Sequence, residues 1–206
     1  MAHILLYGGT FDPIHNGHLI TCRRARELLN ADSVLLFPAR QSPHKSSKAP
    51  GASGEQRLAM IRLAIANEAG FAVDDRELKR AGVSYTVDTF RELQAERPAD
   101  RFTLLLGTDQ LPKLHLWHKV DQLLAEVSVA IMGRSSTQPF DKLLAPVEEH
   151  LGSSMAQRFR RAVLMTPLID ISATEIRQRV GMGLPITFLV PDAVGAYISD
   201  NLLYRE

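Results

Sequence analysis

At 206 residues, with 45% hydrophobic and 23% charged side chains, the chain is long enough to bury a core and ordinary in composition for a globular protein. A formal net charge of +1 excludes any global attraction to nucleic acid or a membrane surface, so an anionic ligand would need a local cluster. The single cysteine, Cys22, excludes an intrachain disulfide, and no apolar run approaches the roughly 20 residues a bilayer demands.

The opening "MAHILLYGG" has no basic n-region and too short an apolar run for a signal peptide, so the cytoplasm is the expected compartment. Residues 4–7 are an apolar run stopped by Gly8 and Gly9, which predicts a buried parallel strand. Across 18–29, Leu19, Cys22, Ala25, Leu28 and Leu29 recur at helical spacing, with Cys22 as a small packing residue rather than a nucleophile. Residues 33–39 predict a second strand, halted by Pro38. The segment 40–54 is rich in Ser, Pro, Gly and Lys and predicts a mobile loop, of a length that is usually functional or disordered. Helical periodicity returns over 55–68, and 71–78 predicts a strand. A helix follows, with Ser84 or Thr86 as its cap, running to about Arg97. Residues 101–107 and 127–134 predict strands, and 141–161 a helix interrupted at Pro146 and Gly152. Residues 161–167 predict a last strand; 174–180 and 191–201 predict helices, the second with proline in its first turn. Arg158, Arg160 and Arg161 predict a solvated helix face.

This alternation predicts an α/β fold, a Rossmann-like doubly wound parallel sheet with a small helical C-terminal part. One domain is expected over 1–206, with about 168–206 as the helical subregion. Ligands on such sheets sit where loops leave the carboxyl ends of strands, which singles out 8–17, 107–109 and 133–134.

The first of these bends carries His15 and His18 between a strand and a helix. Glycines there let backbone approach an anion, and the N–H groups of a helix start point at it. The pattern is neither the dinucleotide fingerprint nor a Walker loop, because the third glycine and the Gly-Lys-Ser/Thr are missing. Three readings stay open from the residues alone. The pair can pack and cap, hold zinc, or bind phosphate through Nε2–H donors. A zinc site would need further ligands, and His44, His115 and His118 stand at no recognised spacing.

"GGTFDPIHNGHL" resembles the HxGH signature of the nucleotidyltransferase superfamily, and its double glycine resembles the bacterial nicotinate-nucleotide adenylyltransferases. "SPHK" (42–45), "SYTVDT" (84–89), "LLGTDQLPKLHLWHK" (105–119) and "ISATEIR" (171–177) agree at matching distances. The last departs from the usual motif, with Ala173 in place of a serine between Ser172 and Thr174. The resemblance implies transfer of AMP from ATP to nicotinate mononucleotide, giving nicotinate adenine dinucleotide and pyrophosphate in NAD biosynthesis. It implies His15, His18, Lys45 and Arg177 as catalytic residues. For ATP it implies Gly8, Gly9, Thr10, Phe11, His15, His18, Gly107, Asp109, Arg134, Ser172, Thr174 and Arg177. Gly9, Lys45, Thr86 and Trp117 fall to nicotinate mononucleotide, Trp117 by stacking on the pyridinium. Asp12 is expected to hold the turn through backbone N–H groups. Mg²⁺ is expected as cofactor, carried mainly by the ATP phosphates with no protein ligands. The expected partners are ATP and nicotinate mononucleotide, without nucleic acid or membrane; a homo-oligomer is compatible.

Rival readings are a relative with another acceptor (pantetheine phosphate or the amidated mononucleotide) and a non-catalytic nucleotide sensor. A sensor is expected to have lost His15, His18 or Lys45, and all three are present. A class I aminoacyl-tRNA synthetase shares HxGH but needs a far longer chain and a lysine-rich second signature.

Overall fold

A computed structural model describes residues 1–41, 51–133 and 138–205. Six strands form one sheet: β1 (His3–Gly9), β2 (Ser33–Pro38), β3 (Phe71–Val73), β4 (Arg101–Gly107), β5 (Ser128–Met132) and β6 (Val163–Leu164). Every pairing is parallel, in the order β3-β2-β1-β4-β5-β6. The chain builds outward from β1 through β2 to β3, then crosses back to the other side of β1. That reversal opens a crevice beyond the carboxyl ends of β1 and β4. The doubly wound α/β expectation is met.

Alternation along the strands sorts side chains onto two faces. Ile4, Leu6, Leu35, Phe37, Leu104 and Leu106 pack with Val87, Phe90, Leu123, Leu144 and Phe159. Those partners come from α4 (Thr86–Glu96), α5 (Val120–Glu126), α6 (Phe140–Leu151) and α7 (Ser153–Arg161). Leu5, Tyr7, Val34, Leu36 and Leu105 face the other way, against Cys22, Ala25, Met60, Ile176, Val194 and Ile198. These are supplied by α1 (Asn16–Leu28), α2 (Gly54–Ile65), α8 (Ala173–Gly181) and α9 (Asp192–Asp200). Each fully buried aliphatic side chain contributes about 1.5–3 kcal/mol, so both faces are anchored chiefly by burial. Cys22 is buried here, as a packing residue. Among the described residues no helix is long and apolar enough to cross a membrane.

Several local expectations are corrected. The strand expected over 71–78 stops at Val73, because Asp74 Oδ1 accepts from Arg76 N–H at 2.9 Å and turns the chain into α3 (Arg76–Lys79). Helix α4 is capped by neither Ser84 nor Thr86: Tyr85 holds the cap position, and Ser84 Oγ accepts from Arg40 N–H instead. Thr108–Leu116 forms a 3-10 helix, with Leu111 and Leu114 buried three residues apart. Helix α6 continues through Pro146 and ends only at Gly152, whose φ of 89° breaks it. Proline removes a hydrogen bond to the carbonyl of Lys142, an exposed residue on the solvent side of the helix. The last strand shrinks to Val163–Leu164. Arg158 is no solvated residue, since its guanidinium donates to the Leu124 and Val127 carbonyls at the end of α5. A cation there complements the helix's negative end. The capping box at α2 is reciprocal: Ser53 Oγ accepts from Gln56 N–H, and Gln56 Oε1 from Ser53 N–H.

Candidate active site

The bend between β1 and α1 is packed so tightly that a side chain at two of its glycines would push on a neighbouring ring. A Cβ on Gly9 would meet the Phe11 ring at 3.0 Å, and one on Gly17 would meet His15 Nδ1 at the same distance. Phe11 has a φ of 50°, an uncommon left-handed conformation for a bulky residue. Gly8 is different, with nothing within 4 Å of where its Cβ would lie. There the missing side chain widens the cleft instead of relieving a clash.

His15 is buried, and its ring stacks on His18 with centroids 3.6 Å apart. Phe11 meets His18 edge-on at 5.2 Å. His18 Nδ1 accepts from His15 N–H at 3.2 Å, so in the neutral imidazole the ring proton resides on Nε2. The start of α1 is partly occupied, contrary to expectation. Asn16 N–H donates to the Leu189 carbonyl, and Asn16 Nδ2 to that of Phe188, tying the helix to the C-terminal part.

Asp12 does more than hold its own turn. Its carboxylate accepts from Gly51 N–H, Ala52 N–H and the Tyr204 hydroxyl, at 2.9, 3.1 and 2.8 Å. Arg177 Nη1 donates to the Asp12 carbonyl at 2.7 Å and Nη2 to Thr174 Oγ1 at 3.3 Å. Ser172 caps α8 by accepting from Glu175 N–H, which places Ala173 and Thr174 in the first turn. On the other side, the Tyr85 and His118 rings approach to 4.3 Å, bringing the start of α4 beside Trp117.

One cleft of about 490 Å³ gathers these parts at the carboxyl ends of β1 and β4. Gly8, Gly9, Thr10, Phe11, His15, His18, Thr86, Gly107, Asp109, Trp117, Ser172, Thr174 and Arg177 all line it. Lys45 and Arg134, also singled out by the sequence, lie outside the described residues, as does most of the 40–54 loop. Trp117 packs partly against the core and also lines the cleft. His115 turns away, stacking on His150 at 4.1 Å.

Lys113, Gln110 and Glu77, which the sequence reading does not single out as site residues, also line the cleft, as does His118. A three-residue helical pitch at "DQLPKLHLW" was the available sign for the first two. Nothing local signals Glu77, which arrives through the unforeseen turn of α3. It is buried and accepts from Thr89 Oγ1 at 2.7 Å. Burial pushes its carboxyl above the usual range, opposed by hydrogen bonds from Thr89 and Ser84 and by the charge of Arg80. The folded state therefore holds this proton more tightly than the unfolded chain does. Its contribution to stability is greatest below the ordinary carboxylate range and falls as pH rises through the folded value. Glu77→Gln keeps an acceptor for Thr89 and abolishes that fall. Thermal melts between about pH 4 and pH 8 should show the variant gaining on the parent as pH rises; a constant difference would refute the assignment.

Residues 6–179 match the model of the cytidylyltransferase-like family. Over 204 residues the chain is 39% identical to a Herpetosiphon aurantiacus protein named "Probable nicotinate-nucleotide adenylyltransferase", covering 99% of each. A protein of the same name from Gemmatimonas aurantiaca is 40% identical, over 98% of this chain and 92% of its own. Among solved structures, Plasmodium falciparum nicotinic acid mononucleotide adenylyltransferase complexed with NaAD superposes with a TM-score of 0.79. That match covers 99% of this chain and 98% of the other at 19% identity, a likeness of fold.

Proposed function

The chain belongs to the cytidylyltransferase-like family and, within it, to the nicotinate-nucleotide adenylyltransferases; on that premise we propose how its cleft transfers AMP. A phosphate oxygen of nicotinate mononucleotide attacks the α-phosphorus of ATP. The bond to the β-phosphate oxygen breaks, and pyrophosphate leaves. Phosphate monoesters have a second pKa of about 6, so the attacking group is mostly dianionic at neutral pH and needs no general base. Catalysis is then a matter of alignment and of donors placed where charge builds up.

The observation that carries this reading is the convergence of the His18 imidazole, the Arg177 guanidinium and the starts of α4 and α8 on a single cleft. His18 offers Nε2–H, with its ring held by the bond at Nδ1 and the stack on His15. Arg177 and the first turn of α8 provide for the triphosphate, while Asp109 suits a ribose hydroxyl. Trp117 and Thr86, at the start of α4, serve the nicotinate ring. Lys45 is assigned to the phosphates on its sequence motif alone, and Arg134 on its place at the end of the strand predicted over 127–134.

Nucleotidyltransferases of this kind use a divalent metal, and we assign Mg²⁺. Bound to the triphosphate, it neutralises charge on the leaving group. The donor set fits an ion held by phosphate oxygens. Among the described residues no group of three or more His, Cys, Asp or Glu could hold a metal, and both Asp12 oxygens already accept hydrogen bonds. We further assign residues 1–206 to one working domain, since Ile176, Val194 and Ile198 of the C-terminal helices share a core with β1, and we assign the protein to the cytoplasm.

The test is pyrophosphate release from ATP and Mg²⁺, with and without nicotinate mononucleotide. Release that depends on the mononucleotide is expected, with nicotinate adenine dinucleotide as co-product. A folded protein that releases none with any pyridine mononucleotide would overturn the reading.

A further inference from the structure

We propose that Tyr204, near the far end of the chain, is a positioning residue for Arg177: its hydroxyl keeps the Asp12 carboxylate occupied, leaving the guanidinium toward the cleft. The inference rests on the reading of Arg177 as a triphosphate contact.

Asp12 is buried, so its carboxylate needs donors from the protein. Oδ1 accepts from Tyr204 and Ala52, and Oδ2 from Gly51. Arg177 makes no hydrogen bond to this carboxylate. Its Nη1 bonds the main-chain carbonyl of Asp12 and stays 3.8 Å from Oδ2. The carboxylate thus sets the place of the cation while neutral donors satisfy its oxygens. Arg57, the other cation beside it, is buried and bonded to the Thr10 carbonyl at 2.7 Å, so it is not free to swing. Arg177 is the more exposed of these two arginines, with about a third of its side chain open to solvent.

The seat of Tyr204 is built. A Cβ on Gly51 would lie 3.0 Å from the tyrosine ring, so Gly51 supplies both the space for the ring and an N–H to the same carboxylate. Leu202 and Tyr204 have φ of 52° and 62°, conformations that bulky residues keep only where surrounding contacts impose them. Burial, then the Asp12 charge, raises the phenol far above its usual range, so it stays a donor.

Without the hydroxyl, Oδ1 loses one of its two donors in a buried site. Among the described residues Arg177 already lies 3.8 Å from this carboxylate, and once the carboxylate is less fully satisfied a shift of about 1 Å would turn that contact into a charge-assisted bond, drawing the guanidinium from the cleft. Misplacement on this scale can be costly in turnover.

The test is a double-mutant cycle on the full chain with Tyr204→Phe and Arg177→Ala, read as kcat/KM for ATP at saturating nicotinate mononucleotide. Tyr204→Phe keeps the ring on Gly51, and circular dichroism checks the fold of all four proteins. Equilibrium binding of a non-hydrolysable ATP analogue repeats the cycle without turnover. Tyr204→Phe is expected to cost about tenfold alone and less than about twofold in the Arg177→Ala background, with KM for the mononucleotide unchanged. Equal losses in both backgrounds would make Tyr204 a scaffold residue and overturn the proposal, as would no loss in the single variant. Full activity of Arg177→Ala would overturn the underlying reading of Arg177, and the inference with it. The first two failures leave that reading standing wherever Arg177→Ala alone is impaired.

Discussion

His18→Ala is expected to lower turnover by about 10²–10³ while the protein stays folded, the cost of removing one transition-state donor, roughly 2.7–4 kcal/mol. The ring is fixed on two sides. Its Nδ1 accepts from His15 N–H, and its face lies on the His15 ring at 3.6 Å. A donor so held needs no reorganisation as charge builds on the phosphate. Alanine also removes the acceptor for His15 N–H, and an unpaired backbone group costs about 1–3 kcal/mol of stability. The melting temperature should therefore drop, and rates belong at a temperature where circular dichroism shows a folded chain. Near-normal turnover under those conditions would return the histidines to a packing and capping role. Loss of bound zinc from the variant would instead revive the metal reading.

Comparing acceptors should give the second large effect. At fixed ATP and Mg²⁺, kcat/KM for nicotinate mononucleotide is expected to exceed that for its amide by about 5- to 150-fold. This is the range that one unpaired donor of roughly 1–3 kcal/mol produces. The acid presents only acceptors at the ring substituent, whereas the amide would point an NH₂ at any donor built for the acid. Around Trp117 the sequence supplies His115, His118 and Lys119, with Thr86 in the preceding motif, and the structure changes that list. His115 is stacked on His150 and leaves the site, and Lys119 does not line the cleft. Thr86 at the start of α4 and His118 beside Tyr85 remain, and Lys113 joins them. The structure also brings an acid, Glu77, into the lining of the cleft, where the sequence did not place it. Its oxygen is engaged by Thr89, and burial favours its neutral form, so it opposes a ligand carboxylate less than a free acid would. Equal kcat/KM values, or a preference for the amide, would mean that Glu77 shapes this end of the cleft more than the donors do.

Local pattern made much of the architecture legible. The runs ending at Tyr7, Pro38 and Gly107 are strands because strands buried on both faces read as continuous apolar stretches. The helices starting at Gly54 and Ala173 follow serines whose caps depend on neighbours within three residues. Most of the site was legible in the same way. Gly9, His15, His18, Thr86, Trp117, Ser172, Thr174 and Arg177 belong to short motifs and line one cleft.

What sequence alone determined is the set of apolar runs, caps and donor-bearing motifs, because each depends on spacing within one or two turns of chain. Only the tertiary structure decided which distant residues share an atom. Asp12 meets Gly51, Ala52, Arg177 and Tyr204 across as many as 192 positions of sequence. Glu77 reaches the cleft through a turn made by Asp74, and Arg158 leaves its exposed face to bond carbonyls of another helix. In each case a buried or partly buried polar group must find a partner when water is withdrawn, and packing of the whole chain determines which one is within reach.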